Sequence, residues 1–517
     1  MKTDGPQSSP LDSVLVLGGG TAGLLSAFSV KSRNLSIDVT LVRSPEIGTI
    51  QVGEGSFPSL PKFLHGYLGL NPKDFYAEVE PTWKLGIKFH WGPRDYFHYT
   101  FRTQFDSQYQ VLPKVTGFYC QDEIGFPDRS TVQMEYDIAC IAQDNGSPFV
   151  GTDIAYHLEN QAFVDYMEKQ CRRIGVEFVE DTLDQAIEGQ CGVEEVRLAS
   201  GRVMKAGLYL DCSGFRSELL GKLLEEPFDS YSSTLWCDKA LVGGWDREEG
   251  DRIRPYTTSE TMDAGWSWKI EHRNRINRGY VFSSKYISED QAEAEFRAAN
   301  PLLGETRVVP FRSGIFRRAW VKNVVGVGNA AGFVEPLEST SIGQICHDAQ
   351  AIAEMIADSD GVISEVFRDQ YNKRFRTSWA DIRRFLALHY KLNTQRDTDF
   401  WENVREGIDL AGSEEILEHY RNHGPSTLWR MTLVDRFDQF GIDGYLSMLI
   451  GMKAPCDRVY QPTQQELDTW RKINIKTVAE TRKRGMRMED AFGILEAPSW
   501  NWDPGFYAKA WAEEKVV

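Results

Sequence analysis

The chain has 517 residues, 41% hydrophobic and 26% charged, which are ordinary globular values for a length worth about three domains. Its formal charge of −17 excludes nucleic acid and anionic membrane as partners, because both need a basic surface. Met1 to Pro10 is polar with no apolar signal core, no apolar run nears the ~18 residues that span a bilayer, and the cysteines form no C-x-x-C pair; the sequence therefore predicts a cytoplasmic protein with reduced thiols, no membrane segment and no metal site.

After a flexible N-terminus (1–10), Ser13–Leu17 is predicted as a buried strand, Thr21–Ser32 as a helix and Ile37–Val42 as a second strand. Together they make a βαβ unit opening a parallel, doubly wound sheet. The aromatic-rich stretch Phe75–Trp91 is predicted strand-like, Asp153–His157 a loop, Asn160–Gly175 an amphipathic helix and Val176–Val179 a strand. Val196–Leu210 is predicted as a hairpin running into the turn Asp211–Arg216, and Leu241–Phe311, with its period-2 stretches, as a mostly antiparallel sheet. Val324–Gly328 reads as a strand and Thr340–Ile356 as the helix behind it. Beyond Val366 the chain turns to charged helical segments such as Tyr371–Lys391 and Ile416–Asn422, and Ser499–Val517, with Trp500, Trp502 and Trp511, is expected to pack back onto the body. The fold class expected is α/β, with a Rossmann-like first half, an antiparallel second sheet and a mainly helical C-terminal domain; the boundaries are 11–365 for the core and 366–517 for the helical part.

Between the first strand and helix runs Gly18-Gly-Gly20-Thr21-Ala22-Gly23, a G-x-G-x-x-G sequence. Gly18 permits the tight turn, Gly20 lets the backbone approach a pyrophosphate, and Gly23 lets helix and strand pack closely, with helix amides and dipole facing the phosphate. The second strand ends Leu41-Val42-Arg43, not in the usual acid. Arg43 is suited to stacking on adenine or to a 2′-phosphate, and Glu46 to the ribose. Lys84 lies among Trp83, Leu85, Ile87 and Phe89, where desolvation would lower its pKa and free a neutral amine; a strand lysine that snorkels to solvent is the alternative. Gly265-Trp266-Ser-Trp268-Lys-Ile270 places two indoles on one strand face, a pattern also shared by plain core.

Taken with Gly328-Asn-Ala-Ala-Gly332-Phe-Val-Glu335-Pro-Leu-Glu338-Ser339-Thr340, these segments resemble the flavin-dependent halogenases, the tryptophan halogenase family. The resemblance covers most of the chain to about residue 400 and, weakly, Phe440–Pro455 with Tyr445. It implies FADH2- and oxygen-dependent chlorination or bromination of an electron-rich, indolic aromatic ring through a flavin hydroperoxide, hypohalous acid and the lysine at 84. It further implies flavin contacts at Gly53, Glu54, Gly328, Asn329 and Gly332 besides the glycine turn, with Glu338 and Ser339 beside the lysine. Thr340 and Ser341 open a helix whose amides suit a halide ion. Trp266 and Trp268 would wall off the flavin; Phe97, His98 and Tyr445 are candidates to line the substrate pocket. Here Glu271 stands where the family's WxWxIP has proline, and Ser341 where it has glycine after Thr. With one dinucleotide fingerprint, reduced flavin is expected from a separate reductase. A homodimer is compatible with this reading. A flavin monooxygenase or reductase on the same fold, and a flavin-binding protein that has lost halogenation, are the rival readings.

Overall fold

The computed structural model describes residues 10–48, 53–101, 111–112, 128–151, 153–248, 250–425, 433–434, 438–457, 461–503, 507 and 509. Met1–Ser9 of the predicted N-terminal segment, Cys120 and Trp511 lie outside these residues.

The Rossmann-like sheet forms as expected. Ser13–Leu17, Asp38–Arg43, Glu177–Glu180, Leu208–Asp211 and Val324–Gly326 run parallel, and Trp320–Val321 adds an antiparallel edge. The strand order by first residue is 177, 38, 13, 208, 324, 320, which places the first strand centrally with the glycine turn at its carboxyl end. The central strands Ser13–Leu17, Leu208–Asp211 and Val324–Gly326 are almost wholly buried because helices cover the sheet: Thr21–Arg33 packs between Asn160–Arg173 and Thr340–Asp358.

The second sheet has seven strands, ordered Arg307–Pro310, Lys239–Asp246, Arg275–Phe282, Gly265–Glu271, Thr257–Met262, Gly86–His90 and Phe97–Thr100. It is antiparallel except where Thr257–Met262 pairs in parallel with Gly86–His90. A small third sheet matters most for the site: Glu54–Gly55 and Thr82–Lys84 both pair antiparallel to Ala155–Leu158. One apolar core runs from Leu11 to Leu495, so the C-terminal helices, headed by Glu365–Leu392, share it with the sheets.

Three expectations need correction. The start of the Phe75–Trp91 stretch is helical: Asn71 caps Pro72–Val79 by accepting from the Lys73 amide, and Phe75, Tyr76 and Val79 fall on one buried face. Aromatic enrichment concealed that 3–4 spacing. Asp153–His157 was expected to be a loop, yet Ala155–Leu158 is a fully buried strand. The hairpin is shorter than expected: Gly192–Leu198 turns back through Val203–Met204, while Leu208–Asp211 crosses into the parallel sheet. Trp500 and Trp502 pack on the core as expected. The seven described cysteines are free, five of them buried. Among the described residues no helix is long and apolar enough to cross a membrane.

Candidate functional site

A cavity of about 880 Å³ opens along the glycine turn and extends to the wall formed by Trp266 and Trp268. That is the size range of cofactor pockets. The glycines fit a dinucleotide for local reasons. A Cβ on Gly18 (φ +122°) would meet the Cys212 carbonyl oxygen at 2.3 Å, and one on Gly23 the Gly18 carbonyl oxygen at 1.9 Å. Gly20 faces open space, with nothing within 4 Å of a Cβ there. The helix behind it has no side-chain cap and no acid in its first turn, so its leading amides stay available to a phosphate. Leu17, Gly18, Gly20, Thr21, Ala22, Arg43, Gly53, Glu54 and Asn329 all line this cavity; Gly23, Gly328 and Gly332 shape its backbone from behind.

Arg43 reaches the wall, but its guanidinium is already held. It donates to Glu180 at 2.8 Å and to Glu168 at 2.5 Å, and Glu180 leads the causes that keep its pKa raised. Glu46 is exposed and does not line the cavity; Glu180, one strand over, does. Glu54 accepts from Asn160 Nδ2 at 2.5 Å, and desolvation in the wall pushes its carboxyl up to about 6.

Lys84 does not line the cavity; it stands one side chain behind it. Its Nζ donates to Ser339 Oγ at 3.0 Å, and Ser339 does line the cavity. The snorkelling alternative fails, since Lys84 is fully buried. Desolvation pushes its amine down to about 7, against the opposing pull of the Glu338 carboxylate. Ser339 can accept because its backbone is left-handed (φ +57°) and its hydroxyl makes no cap bond to the helix Thr340–Asp358. That helix therefore presents an uncapped start, with Ser341 and Ile342 on the cavity wall; Thr340 is buried and off the wall.

Glu338 is buried with its Oε1 2.7 Å from His389 Nε2. His389 Nδ1 is 2.9 Å from the Phe385 carbonyl oxygen, which can only accept, so a second proton sits in the Glu338–His389 contact. Glu338 Oε2 has no hydrogen-bond partner among the described residues. Glu335, on the same loop, accepts at one oxygen from both Trp266 Nε1 (2.9 Å) and Tyr390 Oη (2.6 Å), and burial pushes it up to about 7. Trp266 and Trp268 share one strand face with ring centroids 6.0 Å apart. Room for the Trp268 indole comes from Gly279 on the next strand, where a Cβ would lie 2.0 Å from the ring.

The remaining aromatic candidates sit elsewhere. Phe97 stacks on Phe89 (5.3 Å) and packs against Gly451, inside the core. His98 points to Glu135 at 3.9 Å, and burial pushes its pKa down to about 3. Tyr445 Oη is bound by Arg384 (3.0 Å) and donates to Asp438 (3.2 Å). None of the three lines the cavity. Beside Lys84 the structure instead places Phe101 and Phe57, their ring centroids 5.3 and 6.0 Å from Nζ and 4.9 Å from each other. Sequence reasoning missed both, as well as Glu335, Thr257 and His157. Phe57 follows the Gly53–Gly55 segment by two residues, and that adjacency was the one available signal. Glu271, at the family's proline position, is buried and bonded to Arg247, Lys269 and Arg254.

A Rossmann-like half, a glycine-turn cavity and a wall of indoles define a dinucleotide-binding oxidoreductase. The tryptophan halogenase family profile matches residues 13–468, and the chain belongs to that family of flavin-dependent enzymes. It is 31% identical over 446 residues to the tryptophan 7-halogenase RebH of Lentzea aerocolonigenes, covering 80% of this chain and 82% of the relative. Against the tryptophan 6-halogenase ThaL of Streptomyces albogriseolus the identity is 30% over 450 residues, covering 81% and 83%. Among solved structures, the lanthipeptide tryptophan 5-halogenase MibH superposes with a TM-score of 0.88 at 31% identity, covering 99% of this chain and 100% of that one.

Proposed function

We propose that this protein halogenates an electron-rich aromatic ring, indolic in the first instance, using FADH2, oxygen and bromide or chloride, with Lys84 directing the electrophile. The supporting observation is the buried Lys84 amine, near neutral pKa, bonded to a serine of the cavity wall. Bound reduced flavin would supply, with oxygen and halide, hypohalous acid; a separate flavin reductase would supply the FADH2. The glycine turn, Glu54 and Asn329 would hold the cofactor, and the uncapped helix start at Ser341 the halide. Phe57 and Phe101 supply flat apolar faces for the ring beside Lys84. Glu338, steadied through Oε1 by His389, keeps Oε2 for the proton that leaves the ring. In this reading residues 11–365 form the flavin-binding core, and 366–517 complete the substrate side.

The relatives named above are described as tryptophan halogenases, one of them a lanthipeptide tryptophan halogenase. The test is therefore mass spectrometry of products from tryptophan, indole, a phenol and a tryptophan-containing peptide, with a flavin reductase, oxygen and either halide. Halogenated product that requires the reductase supports the proposal. An oxygenated product without halogen, or NADPH consumption by the purified protein alone, would instead support a monooxygenase.

A further inference from the structure

Behind the wall that separates the cavity from Lys84 lies a run of hydrogen bonds whose direction can be deduced. Thr82 donates its hydroxyl proton to the Glu271 carbonyl oxygen, leaving its Oγ1 as an acceptor. His157 Nδ1 lies 3.4 Å from that Oγ1, whose proton is already donated to the Glu271 carbonyl so that it can only accept, and Nδ1 therefore carries a proton. His157 is fully buried, and desolvation, reinforced by Lys84 and His272, drives its pKa well below the usual value, so the ring is neutral. A neutral ring protonated at Nδ1 has a bare Nε2. Thr257 Oγ1, 2.8 Å from Nε2, must therefore be the donor in that bond.

Thr257 lines the cavity, and with its proton committed to His157 it offers only oxygen lone pairs to its surroundings. Those surroundings are defined by Gly55. The point where a Cβ on Gly55 would stand is 2.9 Å from Ser339 Oγ, 3.4 Å from Lys84 Nζ and 3.5 Å from Thr257 Oγ1. Three polar atoms from three separate strands and loops thus share one small neighbourhood. Gly55 and Thr82 both pair with His157 in the small sheet, which fixes the imidazole between them.

We propose that Thr257 is a hydrogen-bond acceptor for a small neutral O–H oxidant of the hypohalous acid class passing from the cavity to Lys84, and that His157 is the positioning residue that sets its direction. This rests on the halogenation reading above. An acceptor at this point discriminates by chemistry: a halide ion, itself an acceptor, gains nothing from it, whereas the O–H of a hypohalous acid does.

Two measurements test this. Nitrogen-15 NMR of the full-length enzyme labelled in histidine, with the His157 signal assigned by its loss in His157→Gln, should show Nδ1 protonated and Nε2 bare, without titration between about pH 6 and 8. A protonated Nε2 overturns the proposal. In the second, Thr257→Val should lower halogenated product per oxygen consumed by about fivefold, the usual worth of one hydrogen bond, with the difference recovered as oxidised halide by an added scavenger. Thr257→Ser, which keeps the hydroxyl, should stay within about twofold of wild type. Unchanged coupling in Thr257→Val overturns the proposal. If the wild-type enzyme yields no halogenated product at all, the functional reading fails, while the NMR result still decides the direction of the Thr257 bond.

Discussion

Lys84 and Arg43 are both cations at the edge of one cavity, and they end in opposite states. Arg43, at the end toward residues 43–48, is half-exposed and gripped by Glu168 and Glu180, so its charge is reinforced and already neutralised. Lys84 is fully buried, and its hydrogen bond goes to a neutral hydroxyl, so desolvation wins over the pull of Glu338 and the amine sits near 7. Pairing makes a cation structural, whereas burial without a paired carboxylate makes it available for chemistry. Residue type alone does not distinguish the two; the partner does.

Removing the unpaired cation should have the largest effect. Lys84→Ala is expected to lower halogenation by at least about three orders of magnitude while FAD affinity, measured by fluorescence titration, stays within about twofold. Retention of most activity would show that the buried amine is only structural. Next, Glu338→Gln should cost about a hundredfold in rate, the usual worth of a positioned acid or base, with an unchanged melting temperature. A variant that melts early but works normally would reduce Glu338 to packing.

The pH dependence sharpens the same contrast. Below about 7 Lys84 is an ammonium and above it a free amine, so halogenation should rise through about pH 7 while FAD binding does not. For stability the sign follows from linkage. The folded pKa lies below the unfolded value of about 10.4, so the unfolded chain binds the extra proton between the two. Stability should therefore rise from about pH 7 toward about pH 10. Lys84→Met should abolish that rise, and melt higher at pH 7, in melting curves taken across this range. The smallest effect belongs to the paired cation: Arg43→Gln should weaken FAD by no more than about fivefold, as expected for a cation whose charge two carboxylates already neutralise. A hundredfold loss in the same titration would mean that Arg43 grips the cofactor directly and that the two cations are not the contrasting pair described here.

What could be read in the sequence was what is local. The Gly18–Gly23 turn follows an apolar strand and precedes a helix within about twenty residues, and Gly18 and Gly23 have steric reasons that the structure shows. The apolar flanks of Lys84 likewise announced its burial. What could not be read depends on three sheets meeting. Phe57, Phe101 and Thr257 reach Lys84 from segments up to two hundred residues apart, with no period or motif to join them. Phe97 and Tyr445 were attractive as aromatics near the right segments. Their side chains instead serve the core, one against Gly451 and the other in the Arg384–Asp438 cluster. Composition misled at Phe75–Val79 in the same way, because aromatic residues suit a strand and a buried helix face equally.

Tyr390 sits in the last turn of the long helix Glu365–Leu392, and its hydroxyl shares with the Trp266 indole a single oxygen of Glu335. The helix thereby holds a tether to the indole wall without itself lining the cavity. Variation at position 390 would slacken that tether and let the Trp266 ring tilt, changing the outline of the chamber from a distance. In directed evolution toward bulkier or thinner rings, gains should accordingly surface at Tyr390 and Glu335, outside any library confined to cavity-facing positions.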